Sequence, residues 1–102
     1  MTGPFILTPS AVRDLDEILE YVLEHGGANP ALHVHNRLYE GFSKVAAQPG
    51  IGHVRDDLAD ESLRVWAILS YLIIYSPETK PLQILRVIHG ARDVPKAIED
   101  DA

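Results

Sequence analysis

Cysteine is absent from the 102 residues. That excludes a disulfide framework and a thiolate metal site, and it fits a reducing compartment. Long apolar runs are missing too. The longest, around Val65–Tyr75, is interrupted by Ser70 and falls far short of the ~20 residues a membrane helix needs. The amino terminus MTGPFILTPS has neither a basic leader nor an extended apolar core, so no signal peptide is expected and the expected location is cytoplasmic. A basic excess is lacking as well, since the formal net charge is −6. Domains that live on nucleic acid draw most of their affinity from neutralising phosphates. Strong direct binding to nucleic acid is therefore not expected.

Motifs for common chemistries are missing. No GxxxxGK[ST] or GxGxxG signals a nucleotide site, and no serine lies in a GxSxG elbow. There is no HExxH, and His33 and His35 stand two apart on an expected helix. They point about 200° apart and cannot share a metal. Neither a metal nor a cofactor is expected.

What is there reads as one folded unit, residues 1–102. The apolar share is 46 %, enough for one core but with little stability to spare. Phe5-Ile6-Leu7 reads as a strand, followed by Thr8 as helix cap and Pro9 at the first helical position. The first helix is expected over Pro9 to Glu24, with Val12, Leu15, Ile18, Leu19 and Val22 on its apolar face. Asp14, Asp16 and Glu17 fall in its first turns, where the helix dipole favours negative charge. Asn29-Pro30 starts a second helix, whose stripe is Ala31, Val34, Leu38, Phe42, Val45 and Ala46, and Gln48-Pro49-Gly50 stops it. A connection of about five residues makes the two helices an antiparallel hairpin. After the loop Pro49–Ser62 the period changes to two. Leu63–Leu69, Tyr71–Tyr75 and Leu82–His89 read as strands, and Asp93 or Val94 opens a short helix through Ile98. The expected class is α+β, in the order β-α-α-β-β-β plus a short helix. The hairpin packs on a small antiparallel sheet, because its apolar stripe needs a partner. Whether the first strand lies at an edge or inside is open.

Charge is unevenly spread. From Leu63 to Arg92 the chain carries Arg64, Lys80, Arg86 and Arg92 against Glu78 alone, while both ends are acidic. Arg86 sits among Ile84, Leu85, Val87 and Ile88, where a charge must reach solvent or a partner such as Glu61. Arg64, Arg86 and Arg92 either converge as an anion-binding patch or are unrelated surface charges. His89 is suited to acid–base work, and it is also the kind of strand-end histidine that simply bonds a neighbouring loop. Asp93 is its candidate partner or, by preference, the cap of the last helix. Tyr21, Leu38 and Trp66 are candidate exposed anchors for a partner, against the alternative that all three are core. The tail Glu99-Asp100-Asp101 is expected to be solvated.

Several segments together resemble one family. Phe5–Ala11 (FILTPSA), Asp14–Tyr21 (DLDEILEY), Asn36–Phe42 (NRLYEGF) with the following QPGIG, and Arg86–Asp93 (RVIHGARD) are similar, in that order, to the ParE/RelE toxin superfamily. The resemblance implies the toxin of a type II toxin–antitoxin module, associated with plasmid stabilization. It also implies a hetero-oligomer with a cognate antitoxin that wraps the toxin. ParE-like members inhibit DNA gyrase; RelE-like members cut mRNA on the ribosome. The acidic balance and the lack of a tyrosine after Tyr75 favour the ParE-like branch, a binding inhibitor with no catalytic residues of its own. Arg64, Arg86, His89, Arg92 and Asp93 are then candidate target- or partner-binding residues. The alternative is a nuclease using Arg64, Arg86, His89 and Arg92. A further alternative is an inactive member that only binds its antitoxin.

Overall fold

The computed structural model describes residues 5–99. Its elements run β1 (Phe5–Leu7), α1 (Pro9–Gly26), α2 (Ala28–Ala47), β2 (Arg64–Ile68), β3 (Tyr71–Ser76), β4 (Leu82–His89) and α3 (Val94–Glu99). The four strands form one sheet in the order β1-β4-β3-β2. β2, β3 and β4 pair antiparallel, as expected for the small antiparallel sheet. β1 settles at the edge and runs parallel to β4. Asp100 and Asp101 of the acidic tail lie outside the described residues.

Local chemistry explains the hairpin. Thr8 caps α1 by accepting the Ala11 N–H at 3.2 Å, and Pro9 occupies the first turn. The same Thr8 hydroxyl donates to the Leu85 carbonyl at 2.9 Å, which ties the helix start to β4. α1 runs two residues past the expected end. The two helices are joined by Gly27 alone, not by about five residues. Its φ of 89° lies where a side chain is disfavoured, so one glycine reverses the chain. Its N–H closes α1 on the Leu23 carbonyl, and its carbonyl receives Ala31 N–H to open α2.

The sheet has a core on each face. Ala11 and Leu15 of α1 and Leu38, Phe42 and Val45 of α2 pack on Ile73, Tyr75, Leu82, Ile84 and Val87. Gly41 of α2 faces Ile73 and Ile68, and a Cβ there would stand 2.7 Å from the Ile73 Cδ1. A side chain there would force Ile73 and Ile68 to shift, so glycine lets helix and sheet approach closely. On the other face Leu58, Leu63, Val65, Ile74 and Ile88 pack with Val94 and Ala97 of α3. The loop before β2, which has few apolar residues, therefore supplies a second-core residue, Leu58. Leu38 is fully buried, and Trp66 packs partly buried against the first core. Of the three anchor candidates only Tyr21 stands out, 62 % exposed.

The strict alternation read for Leu82–His89 breaks at one place. Tyr75 pairs with Ile84 but Ile74 pairs with Arg86, so a β-bulge inserts one residue into β4. Ile84 and Val87, three apart, both face the hairpin, while Leu85 packs on the opposite core. A bulge re-aims side chains, and Arg86 beside it reaches both Asp14 of α1 and the Ala97 carbonyl of α3.

Tyr75 is fully buried, and its hydroxyl is satisfied twice. It donates to the Pro49 carbonyl at 2.7 Å and accepts the Gly52 N–H at 2.9 Å. Gly52 packs so closely on that ring that a Cβ would stand 2.5 Å from the hydroxyl oxygen. Burial pushes the Tyr75 hydroxyl above the ordinary phenol range; the Gly52 bond and nearby Arg64 pull partly the other way. A raised folded-state pKa means stability complete below the unfolded value of about 10 and lost as pH rises through the folded value. Tyr75→Phe leaves the Gly52 N–H without its acceptor and is expected to cost about 1–3 kcal/mol in urea unfolding at neutral pH. The variant should also lose less stability than the parent on going to alkaline pH.

Candidate functional site

The most informative side chain is Arg86. Where β1 ends opposite Ile84, the outer edge of β4 is left open. A carboxylate on α1 fills the gap. Asp14 accepts the Val87 N–H at 3.0 Å, doing for the strand edge what a longer β1 would do. The same carboxylate receives two parallel bonds from Arg86, Nε to Oδ2 at 2.6 Å and Nη2 to Oδ1 at 2.9 Å. The remaining arm of the guanidinium, Nη1, donates to the Ala97 carbonyl of α3 at 2.6 Å. The two side chains are only 11 % and 10 % exposed. Bidentate geometry with further bonds to backbone is what a buried ion pair needs to offset its desolvation. Arg86 is therefore paired, with Asp14 rather than with Glu61. It joins α1, β4 and α3.

The other candidates divide. Arg64 donates to the Gly52 carbonyl at 3.0 Å and lies opposite Tyr75, whereas His89 lies opposite Tyr71. Four residues along β3 and two strand spacings separate them, about 13 Å by about 10 Å. The three arginines thus form no common patch. Asp93 caps α3, accepting the Lys96 N–H at 3.2 Å with its side chain and the Ala97 N–H at 3.0 Å with its carbonyl. It is not the partner of His89, whose Nδ1 accepts the Ala91 N–H at 3.1 Å.

His89 and Arg92 do come together. They line a groove of about 330 Å³ with Asp14, Glu17, Ile18 and Tyr21 of α1, Ser70 and Tyr71 of the β2–β3 hairpin, and Val87. The Tyr71 and His89 rings meet edge to face at 5.7 Å. Burial, then the neighbouring Tyr21, raises the Tyr71 hydroxyl above the ordinary phenol range, so it stays a protonated donor. Sequence order alone places one acid–base group in this region; the fold adds Tyr71 and Glu17. Asp14 is the residue that sequence reasoning missed. The signal was present: Ala11, Asp14, Leu15 and Ile18 share one helix face, so an acid interrupts the α1 stripe much as Arg86 interrupts β4.

Among the described residues no group of three or more His, Asp and Glu side chains is arranged to hold a metal ion. No helix there is long and apolar enough to cross a membrane.

With this geometry in hand, comparison with known proteins is decisive on family. Residues 5–94 match the family described as the ParE toxin of the type II toxin–antitoxin system, parDE. The chain belongs to the ParE toxin family. It is 30 % identical over 88 residues to Toxin ParE3 of Caulobacter vibrioides, covering 86 % of this chain and 87 % of that one. Its fold resembles a structure from the chromosomal ParDE TA system of P. aeruginosa. That likeness has a TM-score of 0.72 at 21 % identity, over 86 % of this chain and 96 % of the other. The family match takes in the Asp14–Arg86 pair and both helices of the hairpin.

Arg86→Gln and Arg92→Gln remove the same charge from two places six residues apart. The first leaves Asp14 buried without its cation and is expected to lower unfolding free energy by about 3–5 kcal/mol. The second, at an exposed position, should change it by no more than about 0.5 kcal/mol. Urea titration of both variants checks the contrast, and equal losses would contradict the assignment of Arg86 as the buried staple.

Proposed function

We propose that this ParE-family toxin acts in the cytoplasm by binding and inhibiting DNA gyrase, and that a cognate antitoxin neutralises it in a hetero-oligomer. The observation that carries the target choice is the fate of the arginines. A ribosome-dependent nuclease would need Arg64, Arg86 and Arg92 gathered around the scissile phosphate with His89. Arg86 is committed to Asp14 and Ala97, Arg64 stands at the far end of the sheet, and only Arg92 remains beside His89. The groove also carries Glu17, and the chain as a whole is acidic, which repels a polyanion. That leaves binding as the mode the residues support. Membership in the ParE family argues for gyrase as the target.

The antitoxin reading is supported by apolar surface on the helical hairpin. Leu23 is 51 % and Leu32 60 % exposed, and with Leu19, Ala28 and Ala31 they line a shallow apolar groove at its tip. Such a groove suits the apolar face of a partner helix. The similar P. aeruginosa protein comes from a ParDE system, in keeping with an antitoxin partner here.

Purified toxin should abolish supercoiling by gyrase and leave ribosome-bound mRNA intact, and added antitoxin should restore supercoiling. Normal supercoiling at large toxin excess would overturn gyrase as the target. Cleavage of ribosome-bound mRNA would restore the nuclease reading in its place.

A further inference from the structure

The groove between α1, the start of β3 and the end of β4 carries donors on its His89–Arg92 side and a carboxylate, Glu17, on α1. Asp14 looks like an acceptor on its wall, but it already takes three bonds, two from Arg86 and one from Val87. His89 has its Nδ1 engaged by the Ala91 N–H. That nitrogen must be the unprotonated one, so in the neutral ring Nε2 carries the hydrogen and is a donor. The turn is itself fixed, because Gly90 N–H bonds the Ser70 carbonyl at 2.9 Å and Arg92 N–H bonds the His89 carbonyl at 3.0 Å. Arg92 is exposed on the groove and forms no ion pair among the described residues. The phenols of Tyr21 and Tyr71 are further donors. Glu17 is the one lining carboxylate with no bond among the described residues. Ile18, Val87 and the two tyrosine rings supply apolar wall.

This combination selects its occupant. A guanidinium and an imidazole N–H line the same groove, and one carboxylate can accept from both with charge-assisted bonds. The volume, about 330 Å³, suits a side chain and its neighbour on a peptide rather than a large ligand. Apolar walls favour an acid flanked by aliphatic residues. A nucleic acid is a poor fit, since its run of phosphates meets the net charge of −6 as well as Glu17, whereas one carboxylate on the Arg92 and His89 side meets Glu17 alone, the acids outside the groove being screened.

We propose that this groove receives an acidic side chain from an amphipathic segment of the antitoxin, the carboxylate bonding Arg92 and the Nε2–H of His89 with Tyr21 and Tyr71 as apolar walls. The partner's identity rests on the antitoxin reading above; the groove's preference for a carboxylate does not.

Two measurements keep these apart. In the first, the full-length chain labelled with ¹⁵N is titrated with acetyl-Leu-Glu-Leu-Leu-amide, its Gln counterpart and its Lys counterpart. The Glu peptide is expected to give saturable shifts at the amides of Ser70, His89, Ala91 and Arg92. The Gln peptide should bind about tenfold more weakly, the loss of one charge-assisted contact. Arg92→Gln, which lies outside the buried staple, should weaken the Glu peptide by a similar factor. Absent shifts, equal binding of Glu and Gln, or preference for Lys would overturn the carboxylate preference. In the second, the product of the adjacent reading frame is titrated against parent and Arg92→Gln toxin. About tenfold weaker binding to the variant supports the antitoxin as occupant; unchanged affinity overturns it, whatever the peptides do. If the adjacent product fails to bind the parent toxin, the antitoxin reading falls and this occupant falls with it, while the peptide titration still decides the chemistry of the groove.

Discussion

One buried ion pair organises the molecule. Asp14 and Arg86 are separated by seventy-two positions in sequence and joined by two charge-assisted bonds. Each also bonds backbone elsewhere: Asp14 at Val87 of β4, Arg86 at Ala97 of α3. The pair therefore fixes where α1 lies along β4, closes the strand edge that the short β1 leaves open, and holds α3 on the opposite face. A domain of this size has an unfolding free energy of about 5–15 kcal/mol, and losing one member of such a pair costs about 3–5. The pair is thus a large fraction of what keeps the two cores together. Its apolar alternative would cost less to bury, but would not satisfy the Val87 N–H at the sheet edge.

The same interaction decides what the arginine is for. An arginine in an otherwise apolar strand reads equally well as a phosphate ligand or as a paired structural cation. The structure resolves this physically, because Arg86, beside the β-bulge at Ile74/Tyr75, bonds Asp14 at the open strand edge and the Ala97 carbonyl of α3. All three guanidinium nitrogens are then bonded within the fold. What remains accessible nearby is His89 and Arg92, held by a bonded turn and facing a groove with two tyrosines. Arg92 is the one arginine lining that groove, so Arg64, Arg86 and Arg92 do not gather at a single site.

Much of the architecture is legible in the sequence because it is written in local signals. Thr8-Pro9 marks the α1 start, periodicity 3.6 gives the helices, periodicity 2 gives β2, and the apolar run YLIIY gives β3. The ordered segments FILTPSA, DLDEILEY, NRLYEGF and RVIHGARD carry the family. What escapes is non-local. The Gly26-Gly27 pair announces that α1 stops, but not that the single positive-φ residue Gly27 leads straight into α2. The break in β4 alternation depends on pairing with β3. Asp14 and Arg86 each violate an apolar face, yet only the fold shows that the two violations are one feature. Within the candidate site, His89 and Arg92 are neighbours in sequence and in space, while Arg64 shares their charge and is separated from them by the sheet.

The energetic coupling of Asp14 and Arg86 is the quantity on which everything else depends. A double-mutant cycle with Asp14→Ala, Arg86→Ala and the double variant, each unfolded in urea at neutral pH, isolates it. Two contacting members of a bonded network should show a coupling of about 2–3 kcal/mol, with the double variant much less destabilised than the two singles combined. Additive losses, with a coupling near zero, would contradict the claim that this pair holds helix, strand edge and C-terminal helix together.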